Sequence, residues 1–184
     1  MSQYQIAVVV GSLRRDSFNR QLANAVIALA PPELSFQQVR IDDLPLYNQD
    51  DDSAPADSVK RLKAEITASQ GVLFVTPEYN RSISGVLKNA LDHASRPYGQ
   101  SVWAGKPAGV LGASVGATGT SMAQQHLRNI LAYLDMPTLG QPEVFIHVKD
   151  GLFDEGGKLA NAGSKAFLQG WMDRYVAWVK KHAA

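Results

Sequence analysis

Gly11 to Leu22 reads GSLRRDSFNRQL, directly behind the apolar run Ile6 to Val10. Ser12, Ser17 and Asn19 offer short polar side chains, and Arg14 adds a permanent cation able to fork onto a phosphate. A strand that ends in glycine and opens a helix puts this set at a helix N-terminus, where unpaired N–H groups and the helix dipole favour an anion. Each residue also has an ordinary use: Ser17 as a cap, Gly11 as a turn, Arg14 as a solvated charge. Their convergence at one junction is what points to a phosphate. The loop has neither the G-x-x-x-x-G-K-[ST] of nucleotide hydrolases nor the G-x-G-x-x-G of dinucleotide folds, which favours a monophosphate.

A second polar stretch, PEYNRSISGVLKNALD, runs from Pro77 to Asp92. Pro77 lacks an N–H and turns the chain out of a strand. Tyr79 brings a flat face with a hydroxyl, Asn80 tolerates unusual backbone angles, and exposed backbone groups in such a turn can pair with the edge of a planar heterocycle. Ser82 or Ser84 is placed to cap a helix, and Gly85 would admit a close neighbour. Glu78 and Lys88 read singly as surface charges, Asn89 as a structural hydrogen bonder. A third stretch, ASVGATGTS from Ala113 to Ser121, is nearly free of bulk and can lie flat against a ring.

The elements that must carry these loops alternate between two periods. Ile6 to Val10, Leu34 to Ile41, Gly71 to Thr76, Pro107 to Ala113 and Val144 to Val148 read as strands. Leu22, Val26 and Leu29 mark a first helix, stopped by Pro31-Pro32, and Asp42 to Asp57 is an acidic, proline-bearing loop. Val59, Leu62 and Ile66 mark a second helix. Leu87 and Leu91, Leu127 and Leu131, and Leu168 to Val179 give the inner faces of three more. Strands separated by helices imply parallel pairing with helices on both faces. The expectation is one α/β domain over residues 1–184, a three-layer, doubly wound, five-stranded sheet of flavodoxin-like order 2-1-3-4-5. Ligands of such sheets bind beyond the C-terminal strand ends, at the switch between strands one and three.

Composition narrows the chemistry further. The chain has 184 residues, no cysteine and a formal charge of +1. Disulfides, thiolate metal sites and a cysteine nucleophile are excluded, and a reducing cytoplasm fits. Met1 to Gln5 leads straight into the first strand without a leader, and no apolar run approaches the ~20 residues of a membrane span. No basic cluster calls for nucleic acid. Neither a Ser-His-Asp set, a carboxylate pair nor metal-spaced histidines is present. His93, His126, His147 and His182 are scattered and read as structural or solvated. Arg81, Arg96 and Arg128 are equally readable as surface charges and as attractors for an anionic substrate. Met122, Tyr133 and the segment RPYGQSVW, Arg96 to Trp103, look like aromatic and apolar surplus at an interface.

The paired motifs GSLRRDSFNRQL and PEYNRSISGVLKNALD, with HLRNILAYLDMPTLGQPE from His126 to Glu143, resemble the NADPH-dependent FMN reductase family, most closely its bacterial chromate and quinone reductase branch. The resemblance covers essentially the whole chain. It implies that Gly11, Ser12, Arg14, Ser17, Phe18 and Asn19 grip the FMN phosphate. Pro77, Glu78, Tyr79, Asn80 and Arg81 would flank the isoalloxazine, with Ser82 near the phosphate, and Ser114, Val115 and Gly116 would lie by the ring. No metal is implied, and no catalytic side chain beyond the flavin. NADPH or NADH would deliver hydride, then leave room for a quinone, another flavin or a chromate-like oxidant, giving ping-pong kinetics. A homodimer or homotetramer is implied, with Arg128 and Glu143 as contacts across subunits. Where the family usually carries proline before Gly85, this chain has Ser84, which should loosen that turn slightly. A flavodoxin-type one-electron carrier is the alternative, opposed by the near-neutral charge. A receiver-type signalling domain is opposed by Gly11-Ser12, where acidic residues would be needed.

Overall fold

β1 (Tyr4–Val10), β3 (Gly71–Val75) and β4 (Ala108–Ser114) are buried along almost their whole length, as strands covered on both faces must be. With β2 (Leu34–Gln38) and β5 (Val144–His147) they form one parallel sheet in the order β2-β1-β3-β4-β5. The computed structural model describes residues 4–183, so the expected lead from Met1 to Gln3 lies outside the described residues. Helices α1 (Phe18–Ile27), α2 (Asp57–Ala68), α3 (Gly85–Ala94), α4 (Ser121–Tyr133) and α5 (Ala162–His182) make the crossovers and the closing layer. This is the expected doubly wound, flavodoxin-like sheet.

Alternation along the strands builds two cores. Ile6, Val8 and Val10 face Leu22 and Val26 of α1 and Met172 and Tyr175 of α5. Ala7, Val9, Val72 and Phe74 face Leu62 of α2, Leu87 and Leu91 of α3, and Leu127 and Leu131 of α4. Each fully buried large aliphatic contributes roughly 1.5 to 3 kcal/mol of transfer free energy, so the sheet is a rigid platform for the loops at its C-terminal edge.

Element ends differ from the sequence reading in several places. Leu29 falls beyond α1, which ends at Ile27 with Ala28 as its cap, before the proline pair acts. Val39 and Ile41 are buried in the second core yet lie outside β2, whose pairing with β1 ends at Gln38 opposite Val8. Asp57 already belongs to α2, and a short 3-10 turn over Gln49–Asp51 interrupts the acidic loop. Trp103 is not surface surplus. It is fully buried against Phe74 at 5.8 Å between ring centroids, and its indole N–H donates to Leu91 O at 3.0 Å. Tyr98, in the same segment, is 85% exposed as expected. No described helix is long and apolar enough to cross a membrane.

Candidate functional site

β1 and β3 end side by side, Val10 opposite Val75, and both chains leave the sheet there. The first loop stays close to the second. Gly11 N–H donates to Val75 O at 2.9 Å, and the Ser84 hydroxyl donates to Gly11 O. A Cβ on Gly11 would sit 3.0 Å from Pro77 Cδ and 3.1 Å from Ser84 Oγ, so a side chain there would wedge the two loops apart. Ser84 also caps α3, accepting Leu87 N–H at 3.4 Å. Two hydrogen bonds of Ser84 thus hold the turn at the position where the family usually carries proline.

Ser17 is the N-cap of α1, accepting Arg20 N–H at 3.3 Å, and is buried. Among the described residues, no backbone N–H from Ser12 to Asp16, nor that of Phe18 or Asn19, donates to an acceptor of the chain, while Arg15 and Asp16 form a turn. That leaves a row of free donors at the positive end of the helix. Ser12 is buried beside them, and Arg14 is exposed, its guanidinium 5.4 Å from the Phe18 ring centroid, with no ion pair among the described residues. Asn19 has a different task. Its Oδ1 accepts Ala113 N–H at 2.9 Å and its Nδ2 donates to Ala113 O at 3.0 Å, which stitches α1 to the end of β4.

The second loop is a tight turn. Tyr79 and Ser82 exchange backbone hydrogen bonds of 2.9 and 3.0 Å around Asn80 and Arg81, whose φ angles are +51° and +65°. Two successive left-handed residues make a primed turn, and neither is glycine, so the geometry costs of the order of 1 kcal/mol per residue. The turn is held by side chains at both ends. Glu78 Oε2 accepts the N–H groups of Met122 and Ala123, and Ser82 Oγ lies 3.0 Å from His126 Nδ1. Tyr79, Asn80 and Arg81 are left exposed, and a cleft of about 480 Å³ between Arg81, Met122 and His126 opens beside them.

The third loop follows β4. Ser114 Oγ accepts Gly116 N–H at 3.1 Å, Val115 is 68% exposed, and Ser114 O accepts Val148 N–H at 2.8 Å. The structure thus gathers the three loops onto one edge, with unpaired amides on the first, a strained exposed turn on the second and small residues on the third.

Gly85 has open space where a Cβ would stand, so nothing in the chain requires glycine there. Arg96 donates to the Tyr47 hydroxyl at 2.8 Å and lies 3.6 Å from Asp52, and Arg128 donates to Leu139 O at 2.8 Å. Both are committed to the chain, whereas Arg81 is exposed beside the cleft. Arg128 and Glu143 lie 3.6 Å apart within the chain, and burial holds the Arg128 guanidinium below its ordinary range, partly offset by Glu143. His126 is the site residue the sequence reading passed over. It reaches Ser82 only because α4 packs over the second loop, which no local pattern signals. Among the described residues no metal-holding cluster occurs.

A family model for NADPH-dependent FMN reductases matches residues 4–150. The chain is 54% identical over 176 residues to a 2-hydroxy-1,4-benzoquinone reductase of Burkholderia sp., covering 96% of each protein. It is 50% identical to a quinone reductase of Pseudomonas putida over the full length of both. The solved structure of FerB, a flavoenzyme NAD(P)H:(acceptor) oxidoreductase from Paracoccus denitrificans, superposes with a TM-score of 0.94 at 42% identity, covering 98% of this chain and 100% of that one.

Proposed function

Because the chain belongs to the NADPH-dependent FMN reductase family, we propose that it is an FMN-dependent NAD(P)H oxidoreductase that reduces quinones. The observation that carries the reading is the α1 N-terminus. A row of unpaired amides, the Ser12 and Ser17 hydroxyls and the free Arg14 guanidinium stand beside a flat, exposed turn, as a cofactor with a terminal monophosphate and a planar ring requires.

In this reading Ser12, Arg14, Ser17 and Phe18 hold the phosphate, Gly11 lets the first loop lie against Pro77 and Ser84 of the second, and Asn19 fixes the helix start against β4. Pro77, Glu78, Tyr79, Asn80 and Arg81 shape the ring site, Ser82 steadies it through His126, and Ser114, Val115 and Gly116 cover its edge. FMN, when bound, supplies the hydride chemistry. The chain positions and excludes: Glu78 and Ser82 pin the turn, and the exposed face beside it admits nicotinamide and acceptor in turn. Double-reciprocal plots should accordingly be parallel.

Three finer points belong to the same reading. Chromate-like oxidants fit as acceptors because the face is open. Assembly as a homodimer or homotetramer is supported by Tyr133, 83% exposed, and Met122, 39% exposed, on α4, near Arg128 and Glu143. The absence of cysteine agrees with work in the cytoplasm.

Anaerobic mixing of the FMN-loaded protein with NADPH or NADH tests the proposal. Bleaching of the yellow colour followed by reoxidation with a quinone is the expected result. Bleaching that needs a separate reductase would instead mark a one-electron carrier.

A further inference from the structure

A second cleft adjoins the first loop on the side away from β3, at the C-terminal ends of β1 and β2. It measures about 610 Å³ and is walled by Ser12 and Leu13 of the loop, Arg20 of α1, and Arg40, Ile41 and Asp42 beyond β2. Two cations and one carboxylate line it. Arg40 forks onto Asp42, Nε to Oδ1 at 2.8 Å and Nη2 to Oδ2 at 3.2 Å, which leaves its Nη1 without an acceptor among the described residues. Arg20, exposed on the first turn of α1, makes no ion pair among them. Asp42 is therefore answered by Arg40, whose Nε also lies 4.0 Å from Asp43, itself paired with Arg61 at 2.8 Å, and the charge left unpaired in the cleft is that of Arg20.

In dinucleotide-binding doubly wound sheets the adenosine ribose lies at the end of β2, where a carboxylate takes its hydroxyls or an arginine takes a 2′-phosphate; with the loop after β1 assigned to the FMN phosphate, only this β2 end is comparable here. Here the carboxylate is already forked by a guanidinium, and a second guanidinium faces the same space. A phosphate dianion matches that arrangement better than a neutral ribose does.

We propose that this cleft is the subsite for the 2′-phosphoadenosine half of NADPH, with Arg20 and Arg40 as its phosphate ligands, and that it makes NADPH the preferred reductant. The inference rests on the reductase reading above. Its two proposed ligands, Arg20 and Arg40, neither hold FMN nor shape the ring site, although Ser12 borders both the cleft and the phosphate site.

The test compares NADPH and NADH with the FMN-loaded enzyme at saturating quinone, for the parent, Arg20→Gln and Arg20→Gln/Arg40→Gln. The double variant should lose about tenfold or more in kcat/KM for NADPH, through KM, while NADH stays within about twofold and FMN is retained. The single variant, which disturbs no ion pair, should show part of the same loss. Calorimetry without turnover should show 2′,5′-ADP binding the parent and not the double variant. Equal effects on both nicotinamides, or undiminished 2′,5′-ADP binding, would overturn the subsite. A parent that neither nicotinamide bleaches would overturn the reductase reading instead, and the calorimetry would still decide the cleft.

Discussion

The Glu78 carboxylate caps a helix it does not belong to: its Oε2 accepts the N–H groups of Met122 at 3.0 Å and Ala123 at 3.1 Å, in the first turn of α4. Thr120, the residue at the N-cap position, makes no side-chain cap bond of its own. The second loop and α4 are thereby one mechanical unit, and the negative charge sits where the helix dipole favours it. Glu78→Ala should cost about 1 to 2 kcal/mol, lowering the melting temperature by about 2 to 8 °C for a chain of this size. FMN affinity should fall with it, because the turn loses an anchor. Glu78→Gln keeps an acceptor oxygen and should lie between. A scanning-calorimetry trace of Glu78→Ala that overlays the parent would show the cap to be idle.

The first loop separates two contributions that share one helix terminus. Arg14 makes no ion pair among the described residues, so Arg14→Ala should leave the melting temperature alone and weaken FMN binding by about tenfold or more, the range of one charge-assisted contact of about 1.5 to 3 kcal/mol. Ser17→Ala removes the α1 cap as well and should lower stability by about 1 kcal/mol in addition to its effect on FMN. The double variant should release flavin on dilution while keeping the fold. Fluorescence titration of FMN, paired with thermal melts, checks both, and an undiminished affinity in the double variant would refute the phosphate assignment.

How much of this was legible in the sequence follows from what each feature depends on. β1, β3 and β4 are covered on both faces and so read as unbroken apolar runs, which with the helices between them imply a parallel sheet, while the order 2-1-3-4-5 rests on the flavodoxin-like template. Val39 and Ile41 read as strand because burial and strand pairing look alike in one dimension, yet β1 offers β2 no partner beyond Val8. Ser17 could be recognised as a cap because capping is local. Glu78 could not be matched with Met122 and Ala123, nor Asn19 with Ala113, because those pairs meet only through the packing of α4 and α1 on the sheet. Trp103 looked exposed for the same reason: nothing near it in sequence shows that it folds back onto Phe74.

Gly112 in β4 marks where the sheet has no room. A Cβ there would stand 2.1 Å from Thr120 Oγ1 and 2.3 Å from Thr76 O. The hydroxyl can be removed, but the carbonyl belongs to the backbone next to the second loop. Gly112→Ala should therefore cost about 3 kcal/mol or more, and adding Thr120→Ala should recover only part of it. Chemical denaturation of the two variants measures this directly. Full rescue by the second change would mean that the backbone gives way more easily than the packing implies.

Glu33, just before β2, pairs with Lys180 of α5 at 3.2 Å. A hydrogen bond from its own backbone, then Lys180, hold the Glu33 carboxyl below its ordinary value of 4.5. A depressed acid favours the fold when ionised, so this contribution is complete above pH 4.5 and fades as the pH falls below it. Glu33→Gln should be slightly less stable than the parent at neutral pH, with the gap closing in acid. Melts from pH 7 down to about 3 follow it, and a gap that widened in acid would have the wrong sign for this linkage.

Tyr133 ends α4 with its ring 83% exposed and forms no side-chain hydrogen bond among the described residues. The same helix carries Met122 at its start and Arg128, whose buried Nε has no hydrogen-bond partner among the described residues and lies 3.6 Å from Glu143 Oε1. An apolar surface beside a half-buried cation is what a second copy can cover, since its side chains would shield the ring. Tyr133→Glu places a charge in that contact and breaks nothing inside the chain. It should melt like the parent once each is measured as a monomer, but elute and scatter light as a smaller species at micromolar concentration. If the parent is itself monomeric throughout that range, α4 does not carry a subunit interface and Arg128 answers only to Leu139 and Glu143.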